Sequence, residues 1–142
     1  MSDIGMDLAS GIAAFEAKEF AKALKLLSPL AEQGDPQSQY RMAIMYQNGL
    51  GLVKNELLAF KWMRAAADQG LALAQHGLGF MYLNGECAAK DPALAARWFR
   101  LAAQQGLAGS QQTLGMMYEH GLGVGRDEAE ARKWYQLARG GN

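Results

Sequence analysis

The sequence is poor in the residues that favour β-strands. Val, Ile and Thr together occur six times among 142 residues. Because β-branched residues predominate in strands, this shortage nearly excludes a sheet. Ala, Leu, Met, Gln, Glu and Lys, which are good helix formers, fill the chain instead, and 17 glycines supply frequent helix ends. The composition therefore predicts an all-α protein of many short helices.

An excess of charge, a cysteine pair and a long apolar run are also lacking. The 14 basic residues balance 14 acidic ones, which disfavours nucleic acid and anionic membranes as partners. Cys87 is the only cysteine, so no internal disulfide can form. No apolar run approaches the length of a signal core or a membrane span, and the first residues are acidic rather than basic. We therefore expect a cytoplasmic protein.

A repeat of 36 residues organises the chain. Residues 35–70 share 14 of 36 residues with 71–106, which in turn share 14 with 107–142, without a gap. Each repeat reads as two helices around a glycine-rich turn, and an N-cap residue precedes the second helix. The predicted caps are Asn55, Asp91 and Asp127. The recurring aromatic residues, predicted to lie in the core, are Tyr46, Tyr82, Tyr118, Trp62, Trp98 and Trp134.

The second repeat carries a recognisable family pattern in its runs 75–85, 95–99 and 102–106. This pattern resembles the Sel1-like repeat, a relative of the tetratricopeptide repeat with a longer internal loop. The resemblance implies a right-handed α-solenoid of antiparallel helix pairs, with about eight helices in a single domain over 1–142. It assigns Sel1-like repeats to 35–70, 71–106 and 107–142, and leaves 1–34 as a tetratricopeptide-like helix pair that caps the amino-terminal end.

Two residues depart from the pattern. Ala43 replaces the usual helix glycine in the first repeat. Cys87 stands in the loop where the other repeats have Gly51 and Gly123. Since cysteine tolerates positive φ poorly, the second departure predicts a different local turn in the second repeat.

Function should lie in what differs between repeats, because stacked helix pairs line one inner face with their first helices. Helical spacing from a buried Met42 predicts four groove positions on each first helix. These positions are Tyr40, Ile44, Gln47 and Asn48 in the first repeat, His76, Phe80, Leu83 and Asn84 in the second, and Gln112, Met116, Glu119 and His120 in the third. The apolar set at 36-residue spacing, Ile44, Phe80 and Met116, suits a partner's amphipathic helix or extended peptide, but it would equally suit packing between neighbouring repeats. Both interpretations stay open at this point.

Signatures of metal binding and catalysis are missing. The two histidines occupy non-equivalent repeat positions, and neither a second cysteine nor an HExxH motif accompanies them. The glycine-rich run 121–125 lacks the Lys-Ser/Thr ending of a phosphate loop. The sequence therefore predicts no metal site, no cofactor and no enzyme.

Three hypotheses of function follow. The resemblance favours a non-catalytic adaptor or scaffold that binds a protein or peptide in the groove, since Sel1-like proteins commonly serve as scaffolds. Some secreted, cysteine-rich members of that family have been linked to penicillin binding and weak β-lactam hydrolysis, but those carry a cysteine pair in each repeat and a signal peptide. The third hypothesis is self-assembly as a homo-oligomer, because no additional polar helix follows the Trp134 helix to cover the last repeat.

Overall fold

Eight α-helices and no strand make up the described part of the chain, residues 4–140 of a computed structural model. The helices are α1 (Ile4–Glu16), α2 (Phe20–Glu32), α3 (Pro36–Asn48), α4 (Glu56–Asp68), α5 (Ala72–Asn84), α6 (Pro92–Gln104), α7 (Ala108–His120) and α8 (Glu128–Ala138). The all-α class and the number of helices are therefore confirmed.

The helices form two compact units with a boundary between Gln69 and Gly70. In the first unit α1 packs on α2, α2 on α3 and α3 on α4, and in the second unit α5 packs on α6, α6 on α7 and α7 on α8. The boundary coincides with the predicted end of the repeat 35–70. The single domain over 1–142 stays a prediction, and its residues 1–3 and 141–142 lie outside the described part.

Local sequence sets the ends of the helices. The side chains of Asn55, Asp91 and Asp127 accept hydrogen bonds from backbone N–H groups in the first turns of α4, α6 and α8, as predicted for N-caps. A left-handed glycine directly follows α3, α5 and α7. Because the glycine and the N-cap stand at equivalent positions in each repeat, the first helix ends and the second helix begins at the same points in all three repeats.

A glycine on the first helix of a pair lets a ring of the second helix approach closely. A Cβ atom added to Gly79 in α5 would lie 2.8 Å from the ring of Phe99 in α6, and one added to Gly115 in α7 would lie 2.9 Å from the ring of Tyr135 in α8. Phe99 is completely buried. These contacts fix how α5 packs on α6 and how α7 packs on α8.

The first helix pair follows the same plan with a shorter connection. Gly11 of α1 is buried directly against the side chain of Leu27 in α2. Three residues, 17–19, connect these helices, whereas seven residues connect α3 to α4. The connection between α1 and α2 is thus four residues shorter than the one between α3 and α4.

The turn after α5 differs from the sequence-based expectation. Cys87 has a φ of 63°, and its counterparts Gly51 and Gly123 have φ of 74° and 73°. The second repeat therefore keeps the same left-handed turn, and the prediction of a different local turn is wrong. The physical reason is that the turn geometry is common to the repeats, so the cysteine adopts a conformation that costs a side chain about 1 kcal/mol or more.

Buried glutamines join successive helix pairs within each unit. The Gln39 amide of α3 donates a hydrogen bond to the Ala31 carbonyl of α2 at 3.2 Å, and its oxygen accepts one from Gln69 at 2.8 Å. In the second unit, the Gln111 amide of α7 donates to the Ala103 carbonyl of α6 at 3.1 Å. Gln39 and Gln111 belong with Gln75 to a set that recurs every 36 residues, a sequence signal that had been given no structural role.

Candidate functional site

The predicted groove positions lie on α3 in the first unit and on α5 and α7 in the second. On α3, Tyr40, Ile44 and Gln47 are half-buried, while Asn48 is exposed and donates a hydrogen bond from its amide to the Ile44 carbonyl at 3.0 Å. The positions on α5 and α7 form what we call the α5–α7 face. Its members are His76, Phe80, Leu83, Asn84, Gln112, Met116, Glu119 and His120.

Three aromatic rings form a cluster at the α5–α7 face. The ring of Phe80 lies edge-on to His76 and to Phe99, with ring centroids 4.9 Å apart in both pairs. His76 and Phe99 also meet edge-on, with centroids 5.5 Å apart. Edge-to-face contacts of this kind stabilise a pair of rings by about 0.5–1.5 kcal/mol beyond the burial of area. Phe80 is thus held in place by its own repeat while its side chain remains partly exposed.

His76 also connects α5 with α7. Its Nδ1 lies 2.7 Å from the Ser110 hydroxyl, and Ser110 is completely buried. Because Ser110 is inaccessible, the pair holds the two helices together and does not present a nucleophile. Burial of the imidazole lowers the pKa of His76 below its ordinary value.

Protonation of His76 should weaken the fold. The folded protein has a lower His76 pKa than the unfolded chain, so the unfolded chain binds more protons in mildly acidic solution. We expect the free energy of unfolding to fall as the pH drops below about 6.5, the ordinary pKa of histidine. The His76→Gln variant should show a flatter dependence in urea unfolding at a series of pH values.

His120→Gln is the matched control for this measurement, because His120 is exposed in the folded protein. If the pH dependence disappears in His120→Gln and persists in His76→Gln, the assignment to the buried imidazole is wrong.

The remaining positions differ in exposure. Asn84 and Gln112 are exposed and Met116 is half-buried, but Leu83 is buried and its side chain is not part of the open surface. At the end of α7, one Glu119 carboxylate oxygen accepts a hydrogen bond from the Tyr135 hydroxyl at 3.0 Å. Desolvation and this carboxylate raise the pKa of Tyr135.

His120 approaches the same Glu119 oxygen, with its Nε2 at 3.4 Å. The α5–α7 face therefore combines apolar side chains near its middle with polar ones at the helix ends.

One half-buried arginine near the α3 positions was missed by sequence reasoning. The Arg41 guanidinium donates hydrogen bonds to the carbonyl and side chain of Gln37, at 3.0 and 2.8 Å. It also lies 5.8 Å from the ring centroids of Phe15 and Tyr40. Desolvation lowers the pKa of Arg41, an effect opposed by Tyr40 and nearby carboxylates. The sequence does show that this position differs between repeats, because the counterpart of Arg41 in the second repeat is Gly77.

Residues 4–140 contain neither a cluster of metal ligands nor a membrane-spanning helix. No group of three His, Cys, Asp or Glu side chains in this stretch is placed to hold a metal ion. None of its helices has the length and apolar character needed to cross a membrane.

Comparison with known proteins identifies the repeat. The model of the Sel1 repeat family matches residues 17–35, 36–71, 72–107 and 110–139. The first match includes α2, so the helix pair interpreted as tetratricopeptide-like contributes to the same pattern. No curated protein matches the chain significantly.

Solved structures of similar proteins support the assignment. A Sel1 repeat protein from Oxalobacter formigenes is 33% identical with a TM-score of 0.90, over 94% of this chain and 53% of that protein. A protective antigen of uropathogenic Escherichia coli strains, which displays an SLR fold, is 36% identical with a TM-score of 0.90, over 99% of this chain and 31% of that protein. This chain thus spans about half of the first structure and a third of the second.

A more distant structure shows the shared fold alone. Cysteine rich protein B of Helicobacter pylori is 21% identical with a TM-score of 0.67, over 85% of this chain and 86% of that protein. Together, the repeat matches over most of the sequence and the two structures above 30% identity lead to one conclusion: the chain belongs to the Sel1 repeat family.

Proposed function

We propose that the chain is a non-catalytic adaptor that binds a protein or peptide on the α5–α7 face. Sel1 repeat proteins are generally protein-interaction modules, and the family is generally non-catalytic. The observation that carries the proposal for this chain is the position of Phe80, whose ring is fixed edge-on by His76 and Phe99 and still partly exposed. A rigid, partly exposed aromatic side chain loses little conformational entropy on binding and is a typical anchor of an interface.

Met116 supplies a second apolar contact one repeat further along. It occupies on α7 the position that Phe80 occupies on α5, and it too is partly exposed. The exposed polar side chains of Asn84, Gln112 and His120 surround these two contacts. An apolar centre with a polar rim is the usual arrangement of a protein–protein interface.

The spacing of the two apolar contacts limits what can bind. Packed helices lie about 8–10 Å apart, and His76 and Ser110 place α5 directly beside α7. An extended peptide covers about 10 Å with three residues, and a helix covers it with about seven. The partner should therefore present two apolar side chains about three residues apart in an extended peptide, or about seven residues apart in a helix.

A matched pair of variants tests the proposal. Met116→Asp places a charge on the α5–α7 face, and Leu101→Asp places the same charge on α6, where Leu101 is 45% exposed. We expect partners captured by the wild-type protein to be retained by Leu101→Asp and lost by Met116→Asp, as quantified by mass spectrometry after affinity capture.

Circular dichroism and thermal unfolding would first establish that both variants fold as the wild type does. Equal retention of every captured protein by the two folded variants would refute binding on the α5–α7 face. Loss with Leu101→Asp alone would instead place the interface on α6.

A further inference from the structure

Two apolar side chains protrude at the start of α4. Val53 and Leu57 are 86% and 83% exposed, the highest fractions among the large apolar residues in the described part of the chain. Each lies two residues from Asn55, the N-cap of the helix. We call this pair the α4 tip. Exposed apolar side chains are common singly, whereas two that stand together almost completely in water indicate a contact outside the chain.

The other repeats carry small residues at the same two positions. The counterparts at 36-residue spacing are Ala17, Ala89 and Gly125 for Val53, and Ala21, Ala93 and Ala129 for Leu57. All six are exposed. Since the repeat folds with alanine or glycine at both positions, packing within the chain gives no reason for the size of the two side chains in α4 and the loop before it.

The loop that carries the α4 tip is fixed in place. The Asn55 N–H donates a hydrogen bond to the Tyr46 carbonyl at 2.9 Å, and the Asn55 side chain accepts one from the Leu58 N–H at 3.0 Å. Nearby, a Cβ atom added to Gly51 would lie 3.0 Å from the carbonyl carbon of Phe20 at the start of α2. A tip that is already ordered loses little conformational entropy when it binds.

The charges beside the α4 tip favour an anionic surface. Lys54 directly follows Val53, and Lys61 follows Leu57 by one turn of α4. Both lysines are exposed, and the acidic residue between them, Glu56, lies 3.9 Å from Lys54. The N-cap of α4 is a neutral asparagine, whereas α6 and α8 have aspartate there. The neighbouring turn between α1 and α2 adds no net charge, because it carries Glu16, Lys18, Glu19 and Lys22.

The size of the α4 tip separates a lipid surface from a protein partner. A stable protein interface buries about 800 Å² on each side. Two apolar side chains with Lys54, Asn55 and Glu56 beside them supply too small an apolar centre for such an interface. Insertion into a bilayer needs only that the apolar side chains pass the headgroups, while flanking lysines stay among them and are attracted by acidic lipids.

We propose that the α4 tip inserts into the surface of an anionic lipid bilayer. Val53 and Leu57 enter the boundary between headgroups and acyl chains, and Lys54 and Lys61 contact the acidic headgroups. The balanced charge of the whole chain predicted no affinity for such membranes, and the tip is a local exception to that balance. The contact is reversible, because two side chains bury little apolar surface. It belongs to the first unit and does not rest on binding at the α5–α7 face.

Flotation with lipid vesicles tests the α4 tip. We expect the wild-type chain to float with vesicles of equal parts phosphatidylcholine and phosphatidylserine, and to bind vesicles of phosphatidylcholine alone more weakly. The double variant Val53→Ala, Leu57→Ala, which carries the residues of the second repeat, should bind the mixed vesicles about tenfold or more weakly than the wild type. The double variant Lys54→Gln, Lys61→Gln should lose the preference for the mixed vesicles.

A matched control removes two exposed leucines from the second unit. The variant Leu101→Ala, Leu137→Ala should float as the wild type does, since these side chains are 45% and 39% exposed on α6 and α8, away from the α4 tip. Met116→Asp should also float normally, so the outcome is separate from that of the α5–α7 face. Blue-shifted emission of a Leu57→Trp variant on the mixed vesicles would support insertion.

The proposal is overturned if the folded wild-type chain does not float with the mixed vesicles, or if the alanine variant floats equally well. Self-association of the wild type that the alanine variant abolishes, in place of flotation, would assign the tip to a second copy of the chain. A soluble protein that is retained by the wild type and lost by the alanine variant, again without flotation, would assign it to a protein partner.

Discussion

Gly123→Ala should lower the free energy of unfolding by about 2–5 kcal/mol. Gly123 has a φ of 73°, a conformation that costs an L-residue about 1–2 kcal/mol. A Cβ atom at this position would also collide with the Pro92 carbonyl and lie 3.0 Å from the Ala93 nitrogen, at the start of α6. Because those atoms belong to backbone, the loop must move away from α6, which adds about 1–3 kcal/mol. Urea unfolding of the two proteins measures the difference.

Gly125→Ala is the matched control two residues away. No heavy atom would lie within 4 Å of a Cβ atom at Gly125, and its φ is outside the left-handed region. We expect this variant to be as stable as the wild type or slightly more stable, since alanine restricts the unfolded chain more than glycine does. Equal losses in the two variants would mean that loop flexibility, and not the contact with Pro92, determines the effect.

Gly79→Ala should destabilise the second unit by about 1–2 kcal/mol. The added methyl group meets the buried ring of Phe99 at 2.8 Å, and overpacking of this kind costs about 1–3 kcal/mol. The better helix propensity of alanine offsets about 1 kcal/mol or less of that cost.

The first repeat suggests how to relieve the strain. It has Ala43 and Met63 at the positions of Gly79 and Phe99, and both residues are buried there. The double variant Gly79→Ala, Phe99→Met should therefore be more stable than the sum of its single variants by about 1–2 kcal/mol, as a double-mutant cycle would show. Additive losses would contradict a direct contact between these two positions. We therefore expect Met63 to compensate for Ala43 in the first repeat, as methionine would for alanine in the double variant.

The helices and their ends were predictable because they depend on local chemistry. Asn55, Asp91 and Asp127 cap helices through side chains that reach three residues ahead, and such spacing is legible in one sequence. The turn at Cys87 was not predictable in this way. The geometry of the whole repeat fixes its conformation and overrides the backbone preference of the cysteine.

The candidate site was predictable in position but not in exposure. Helical spacing placed Phe80 and Leu83 together on one side of α5, yet Leu83 is buried and Phe80 is partly exposed. Spacing within a helix gives the direction of a side chain, whereas burial depends on neighbouring helices. The sequence left open whether Phe80 lines the groove or packs between repeats. Its ring packs on Phe99 of its own repeat and still reaches the surface.

The glutamine bonds give the last turns of α2 and α6 a dependence on the next helix. The Ala31 and Ala103 carbonyls belong to the last four of their helices, whose carbonyls lack the regular partner four residues ahead. Each accepts a hydrogen bond from a backbone N–H of the following turn, that of Gly34 or Gly106, at 3.0 Å. The side-chain amides of Gln39 in α3 and Gln111 in α7 donate further hydrogen bonds to these two carbonyls. These turns should thus fray less while the following pair is docked, and amide hydrogen exchange there would report the opening of that neighbour.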